Sequence, residues 1–295
     1  MLEYLCTSRA NGVTKNGSPY CNLKCANLDE VVNVAVWDCA PDAGPVPGQV
    51  VRFHTIQDRD GKKSANVRDM TTGPEVTEGH PYYRLMPHPI KREDWNASIR
   101  QLITFCTNPR LIKIIEEFGS KLYDPYSKYP AASGMHHAFQ GGLLNHTYQM
   151  LHMLEGLIPV LPYPIKAERC VLAIMFHDYG KLKEYNRDGS TQEDMYLLGH
   201  IYISAHTLQN VLEKEFEEVP GDAKSIKPEN AEEIKRIIHC VLAHHGEREF
   251  GSPVVPCMQE AVIVTYLDNL SAKAENINET GNMEQSYCLG THIVK

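Results

Sequence analysis

Near residue 90 the hydrophobic pattern of this chain changes once, from the alternation expected of strands to the spacing of amphipathic helices, and it does not change back. That switch predicts a multidomain chain, a small all-β part followed by an all-α part. Before it, runs rich in β-formers occur at Leu2–Arg9, Tyr20–Leu28, Val31–Asp38, Val50–Ile56 and Ala65–Met70. Between them lie turn formers: Asn11-Gly12, Asn16-Gly17, the Pro/Gly loop Pro41–Gly48 and Asp60-Gly61. Five short strands in so few residues fit a small closed barrel, with the OB type as one candidate, and residues 1–85 are assigned to it. A Pro-containing connector, Pro74–Pro89, leads into helical spacing at Ile99, Leu102, Ile103, Cys106 and again at Leu111, Ile114, Ile115, Phe118. Residues 86–130 are read as a helical linker, 131–285 as the second domain and 286–295 as a tail.

Composition narrows the class. The chain has 295 residues, 42% of them hydrophobic, which is enough for a real core and excludes general disorder. The apolar run Val171–Phe176 is far below the ~20 residues of a membrane-spanning helix, so no membrane is expected. The opening Met-Leu-Glu-Tyr-Leu-Cys has an acid where a secretory signal carries bases, and the nine cysteines are scattered and odd in number. A reducing cytoplasm is therefore expected. Cys21 and Cys25 have no second pair nearby and are read as strand residues rather than zinc ligands.

The histidines are uneven: ten of fourteen lie between His136 and His245. Five helical segments each bring a ligand-type residue onto an apolar stripe. From His146 the stripe continues through Met150, Met153, Leu154 and Leu157. Ala167, Cys170, Val171 and Ile174 lead to His177 and Asp178, with Gly180 as a C-terminal cap. His200 precedes Ser204, Leu208 and Val211. Ile234, Ile237, Ile238 and Val241 lead to His244 and His245, and Ala261, Val264 and Thr265 to Asp268. Any one of these histidines alone is more often a hydrogen-bonded core residue than a ligand. Directed at one interior, five imidazoles and two carboxylates would each need a partner, because unpaired buried charge costs several kcal/mol. Divalent metal satisfies them together, and imidazole plus carboxylate suits Mn, Fe, Ni or Zn. Adjacent His177 and Asp178 point about 100° apart on a helix, so the carboxylate can sit between two ions. Two ions ~3.5–4 Å apart clamp a phosphodiester and activate water. Lys181, one turn on, is either a phosphate contact or a helix-end lysine in solvent.

These residues resemble the HD-domain metal-dependent phosphohydrolases, named for consecutive His-Asp. The similarity is greatest to the YhaM-type 3′–5′ exoribonucleases, which join an OB-fold to an HD domain. It runs through His136-His137-Ala138-Phe139-Gln140-Gly141-Gly142-Leu143-Leu144-Asn145-His146-Thr147 and His177-Asp178-Tyr179-Gly180-Lys181-Leu182-Lys183-Glu184. It continues with Leu197-Leu198-Gly199-His200, with His244-His245-Gly246 through Pro253, and with Tyr266-Leu267-Asp268-Asn269-Leu270-Ser271-Ala272-Lys273. The resemblance implies that His146, His177, Asp178 and Asp268 hold a first metal. It implies that His200, His244 and His245 form a second-metal and phosphate-facing group, and that Lys181 contacts phosphate. Asp178, Lys181, His244 and His245 would be the catalytic set. Manganese is the metal it suggests first, with Fe, Co, Ni, Zn or Mg as alternatives. The chain departs from the pattern at Asn145, where the family usually has Glu, and at Asn269 and Ser271, which replace acids. Gly251-Ser252-Pro253 stands where the cyclic-dinucleotide branch has Gly-Tyr-Pro, which counts against cyclic di-GMP.

The expected activity is removal of nucleotides from a single-stranded RNA end, with direction and RNA preference implied by the resemblance alone. DNA, small or cyclic nucleotides with a regulatory barrel, and a non-catalytic binding module are the alternatives. On the barrel, Tyr20, Trp37 and Phe53, with Arg52, Lys62 and Lys63 nearby, either stack single-stranded bases or fill the interior. The net charge of −8 excludes indiscriminate coating of nucleic acid. It divides as 11 Lys/Arg against 12 Asp/Glu over residues 1–94, and 18 against 25 over the remainder. Two divalent ions would add roughly four positive charges where phosphate must sit.

Overall fold

The computed structural model describes every residue except 1, 78, 86–89, 133–136, 188–189, 280–284, 287–288 and 295. His136 of the first similar stretch and part of the 286–295 tail lie outside the described residues. The chain divides into two compact units: residues 1–89, 127–143 and 185–192, and residues 90–126, 144–184 and 193–295.

In the first unit, β1 (Leu2–Val13), β2 (Pro19–Ala26) and β3 (Val31–Trp37) form an antiparallel meander. The strand β4 (Gln49–Phe53) returns antiparallel to the start of β1. A hairpin of β5 (Gln57–Arg59) and β6 (Lys62–Asn66) then lays β6 parallel to β3, and β7 (Met70–Glu75) pairs with β4. The order β5-β6-β3-β2-β1-β4-β7 is a curled, OB-like half-barrel of seven strands, where five strands and full closure were expected. The inner face follows strict alternation: Cys21, Leu23 and Cys25 on β2 and Val32, Val34 and Val36 on β3 are all buried. Cys21 and Cys25 are thus strand core residues. The eight described cysteines are all thiols.

Asn11-Gly12 does not turn the chain. The strand β1 runs through it, pairing Asn11 with Cys21 and Gly12 with Tyr20. A Cβ on Gly12 would lie 2.6–2.8 Å from the Tyr20 ring, so glycine is needed there for close approach. The turn falls at Asn16-Gly17 instead, where Gly17 takes a φ of 82°.

The second unit is helical: α1 (Arg92–Ile103), α2 (Pro109–Tyr126), α3 (Gly142–Leu157, whose first two residues fall in the first unit), α4 (Ala167–Phe176), α5 (Lys181–Glu184), α6 (Asp194–Leu197), α7 (His200–Phe216), α8 (Pro228–Leu242) and α9 (Gln259–Glu279). All ten residues of α4 are buried, so it is the central helix rather than one with a single inward stripe. Both of its charged residues have partners inside. Arg169 makes a two-pronged ion pair with Glu233 of α8 (2.5 and 2.8 Å) and contacts Glu260 of α9 at 3.2 Å. Glu168 accepts from the Thr107 hydroxyl at 3.2 Å. Residues 90–126, expected within a linker, belong to this unit: α1 and α2 pack on α4, and the Tyr126 hydroxyl donates to the Met175 carbonyl at 2.7 Å. The amphipathic pattern of α1 and α2 gave them a face to bury, and α4 is what it covers.

Candidate metal centre

The buried end of α4 carries the centre. His177 caps the helix and Asp178 follows it, both essentially inaccessible to solvent. Gly180 stands two residues later, not as a left-handed cap but because α7 passes against it. A Cβ there would lie 2.4 Å from the His200 carbonyl oxygen, and the Gly180 N–H donates to Ser204 Oγ at 2.9 Å. That close passage brings His200, the first residue of α7, to Asp178. The turn after α8 delivers His244 and His245, tied to α9 by the Thr265 hydroxyl donating to the Ala243 carbonyl (3.0 Å). The helices α3 and α9 bring His146 and Asp268 from the other side.

Two groups of ligand-type side chains result. In one, His146, His177 and Asp178 offer ligand atoms within 4.8 Å of one another; in the other, His200, His244 and His245 do the same. Asp178 faces both. Its Oδ2 is 3.2 Å from His177 Nε2 and 3.8 Å from His146 Nε2. Its Oδ1 is 3.6 Å from His200 Nε2 and 3.9 Å from His244 Nε2. Asp268 Oδ1 joins the first group, 3.0 Å from His146 Nε2 and 4.0 Å from His177 Nε2. Lys181 Nζ lies 2.8 Å from Asp178 Oδ2 and is largely buried, so it belongs to the centre and not to a solvent-facing helix end. All seven residues expected to bind metal are therefore together, with Lys181 among them.

Every one of the five imidazoles is held through Nδ1. His177 donates to the Ile174 carbonyl (2.8 Å), His244 to the Val241 carbonyl (2.6 Å) and His245 to the Phe250 carbonyl (2.8 Å). A proton on those Nδ1 atoms leaves a lone pair on Nε2, the tautomer a metal needs. His200 gives Nδ1–H (3.1 Å) and its backbone N–H (2.5 Å) to the buried Glu184 carboxylate. For His146 the acceptor is Ser271 Oγ at 2.9 Å, whose own hydroxyl donates to Gln149 Oε1 at 2.7 Å. Glu184, Ser271 and Gln149 are the residues that sequence reasoning gave no role. Gln149 stands three residues after His146, Ser271 three after Asp268 and Glu184 three after Lys181, but the imidazoles that Ser271 and Glu184 support lie on other helices, so this spacing alone did not mark their role.

Among the described residues, three of the buried polar atoms without a hydrogen-bond partner belong to this centre: Asp178 Oδ1, His200 Nε2 and His244 Nε2. They face one another, and orphaned buried acceptors of this kind fit a cation. The electrostatics agree. Burial pushes the Asp178 carboxyl up, but His177, Lys181 and His200 outweigh it and hold it well below the ordinary range. Burial likewise pushes the Asp268 carboxyl up, but the nearby His146, His244 and His177 outweigh it and hold it well below the ordinary range. Burial and neighbouring imidazoles depress His244 and His245, keeping them neutral, while His177 is raised because Asp178 and Asp268 overcome its burial.

The HD domain family model matches residues 143–273, the span that contains every one of these ligands. Those residues form an HD domain. The HD domain makes this protein a hydrolytic enzyme, a metal-dependent phosphohydrolase. Along its length the chain is similar to "3′-5′ exoribonuclease YhaM" of Bacillus pumilus (strain SAFR-032), 29% identical over 280 residues, covering 92% of this chain and 84% of the relative. The protein of the same name from Geobacillus sp. (strain WCH70) is 29% identical over 279 residues, covering 93% and 82%. That of Bacillus subtilis (strain 168) is 29% identical over 277 residues, covering 91% and 83%. No solved structure matches the chain significantly.

The barrel candidates divide. Phe53 is fully buried, its ring 6.2 Å from that of Tyr4, so it fills the interior and is withdrawn as a stacking residue. Tyr20 and Trp37 sit opposite each other on β2 and β3, their ring centroids 5.4 Å apart, with Trp37 43% exposed on the outer face. Arg52 is paired with Glu3 (2.6 Å) and Lys63 with Glu30 (3.3 Å), while Lys62 is exposed. None of the described helices is long and apolar enough to cross a membrane.

Proposed function

We propose that this protein is a cytoplasmic 3′–5′ exoribonuclease that shortens single-stranded RNA, using two divalent ions with manganese preferred. The observation that carries the reading is Asp178, which turns one carboxylate oxygen to each histidine group. The names of the similar proteins supply the class of substrate. His146, His177, Asp178 and Asp268 would hold one ion, and His200, His244 and His245, with Asp178 between, the other. Bound ions supply Lewis-acid polarisation of the phosphoryl oxygens and acidify the attacking water. The protein's part is positioning. Nδ1 hydrogen bonds fix all five rings, and burial excludes bulk water from Asp178. The Lys181 ammonium is held where it can neutralise charge developing on a non-bridging oxygen. Tyr20, Trp37 and Lys62 on the outer face of the half-barrel are the residues we propose for contacting the strand, by base stacking and phosphate attraction.

The test is 5′-labelled single-stranded RNA incubated with manganese-loaded protein. Stepwise shortening from the 3′ end with release of nucleoside 5′-monophosphates, lost in Asp178→Asn, is the expected outcome. Intact RNA alongside turnover of nucleoside triphosphates or cyclic dinucleotides would overturn it.

A further inference from the structure

Beside the metal centre, on the face of α9 next to Asp268, is a cleft of about 400 Å³ whose lining includes His245, Phe250, Pro256, Tyr266, Asn269 and Lys273. We propose that this cleft is a subsite for the nucleobase of the nucleotide whose phosphate the metal centre holds. The proposal rests on the phosphodiesterase reading above and adds to it a recognition element on the HD domain itself.

His245 is the wall common to both places. Its ring lies 4.3 Å from that of His244 and 5.2 Å from that of His200, centroid to centroid, and the same residue lines the cleft. A group entering the cleft is therefore one side chain away from the atoms that would face phosphate. The cleft is also built in advance. His245 Nδ1 donates to the Phe250 carbonyl, and Ser252 Oγ donates to the Leu242 carbonyl at 3.0 Å, which folds the loop after α8 back on itself. On the opposite side Tyr266, Asn269 and Lys273 stand three, then four, residues apart along α9, which sets them on one helical face.

The chemistry suits a base. Tyr266 is 71% exposed and Phe250 63% exposed, an unfavourable way to leave two large aromatics unless something stacks on them. Asn269, half-buried in the same lining, offers a donor and an acceptor of the kind that pairs with base edges, and exposed Lys273 offers a cation to a further phosphate. The alternation of rings with an amide and an ammonium favours a nucleotide over an apolar peptide. The volume lies at the small end for ligand pockets, fitting one nucleotide better than a longer stretch.

The experiment compares binding of adenosine 5′-monophosphate and ribose 5-phosphate to the full metal-loaded chain by isothermal titration. A base–aromatic stack predicts that the nucleotide binds between about 5-fold and about 150-fold more tightly than the base-free sugar phosphate. Tyr266→Ala should shrink that ratio towards one, and Tyr266→Phe should keep it. Equal affinities in the wild type, or a preference that survives Tyr266→Ala combined with Phe250→Ala, would overturn the subsite. RNA left intact by a protein that still prefers the nucleotide removes the exoribonuclease reading and keeps the subsite. RNA shortened by a protein without that preference does the reverse.

Discussion

Replacing Glu184 by Gln tests whether the two histidine groups are separate metal sites. Glu184 touches only one of them: a single carboxylate oxygen accepts both Nδ1–H and the backbone N–H of His200. The carboxylate is buried, and burial alone would raise its pKa. The bonds and charge of His200, aided by Lys181, outweigh burial and hold it ionised. Gln keeps the shape and one acceptor but removes the charge, and charge-assisted hydrogen bonds are roughly twice as strong as neutral ones. Loss of such a supporting partner weakens metal binding by ~10–100-fold, or about 1.4–2.8 kcal/mol. That loss should fall on the site built from His200, His244 and His245. His146 and His177 keep their own supports in Ser271 and the Ile174 carbonyl. Manganese titration followed by calorimetry should show one binding step weakened within that range and the other unchanged. Both steps weakening equally, or neither moving, would refute the division into two sites.

Three further outcomes follow from the geometry. Ser271→Ala removes the acceptor for His146 Nδ1 and the donor to Gln149, so it should weaken the other binding step by ~10–100-fold in the same titration. Gly12→Ala forces a methyl group to within 2.6 Å of the Tyr20 ring and should destabilise the half-barrel by about 1–3 kcal/mol in chemical denaturation. Burial holds the His239 imidazole below its ordinary value, so on acidification the unfolded chain takes up a proton before the folded one does. Stability should therefore fall as pH drops through ~6.5, and His239→Gln should lessen that fall, with His244 and His245 still contributing, in a melting-temperature profile recorded from pH 8 to 5.

The sequence made the metal ligands legible because each stands at the end of an apolar stripe, where helical spacing fixes the direction of the side chain. His146, Asp178, His200 and Asp268 could be aimed inward on that argument alone. Which atoms hold their rings could not be read the same way. The hydrogen bonds of His146 with Ser271 and of His200 with Glu184 join different helices, and no local pattern encodes them. The same limit explains the barrel. Cys21 and Cys25 are legible as strand residues, but which face Phe53 takes is fixed only by the pairing of β4 with β1, which sets its register. Asn11-Gly12 looked like a turn because the dipeptide signal is local, whereas the Tyr20 ring that requires the glycine arrives from the neighbouring strand. The helices α1 and α2 were correctly periodic, but periodicity does not name the surface that a helix covers.

The most direct test of the account is the divalent metal content of the purified chain. If Asp178 serves both histidine groups, the wild-type protein should carry two ions per chain, and Asp178→Asn should deplete both sites together while leaving the helical content intact. A single ion per chain in the wild type, or two ions retained by Asp178→Asn, would contradict it.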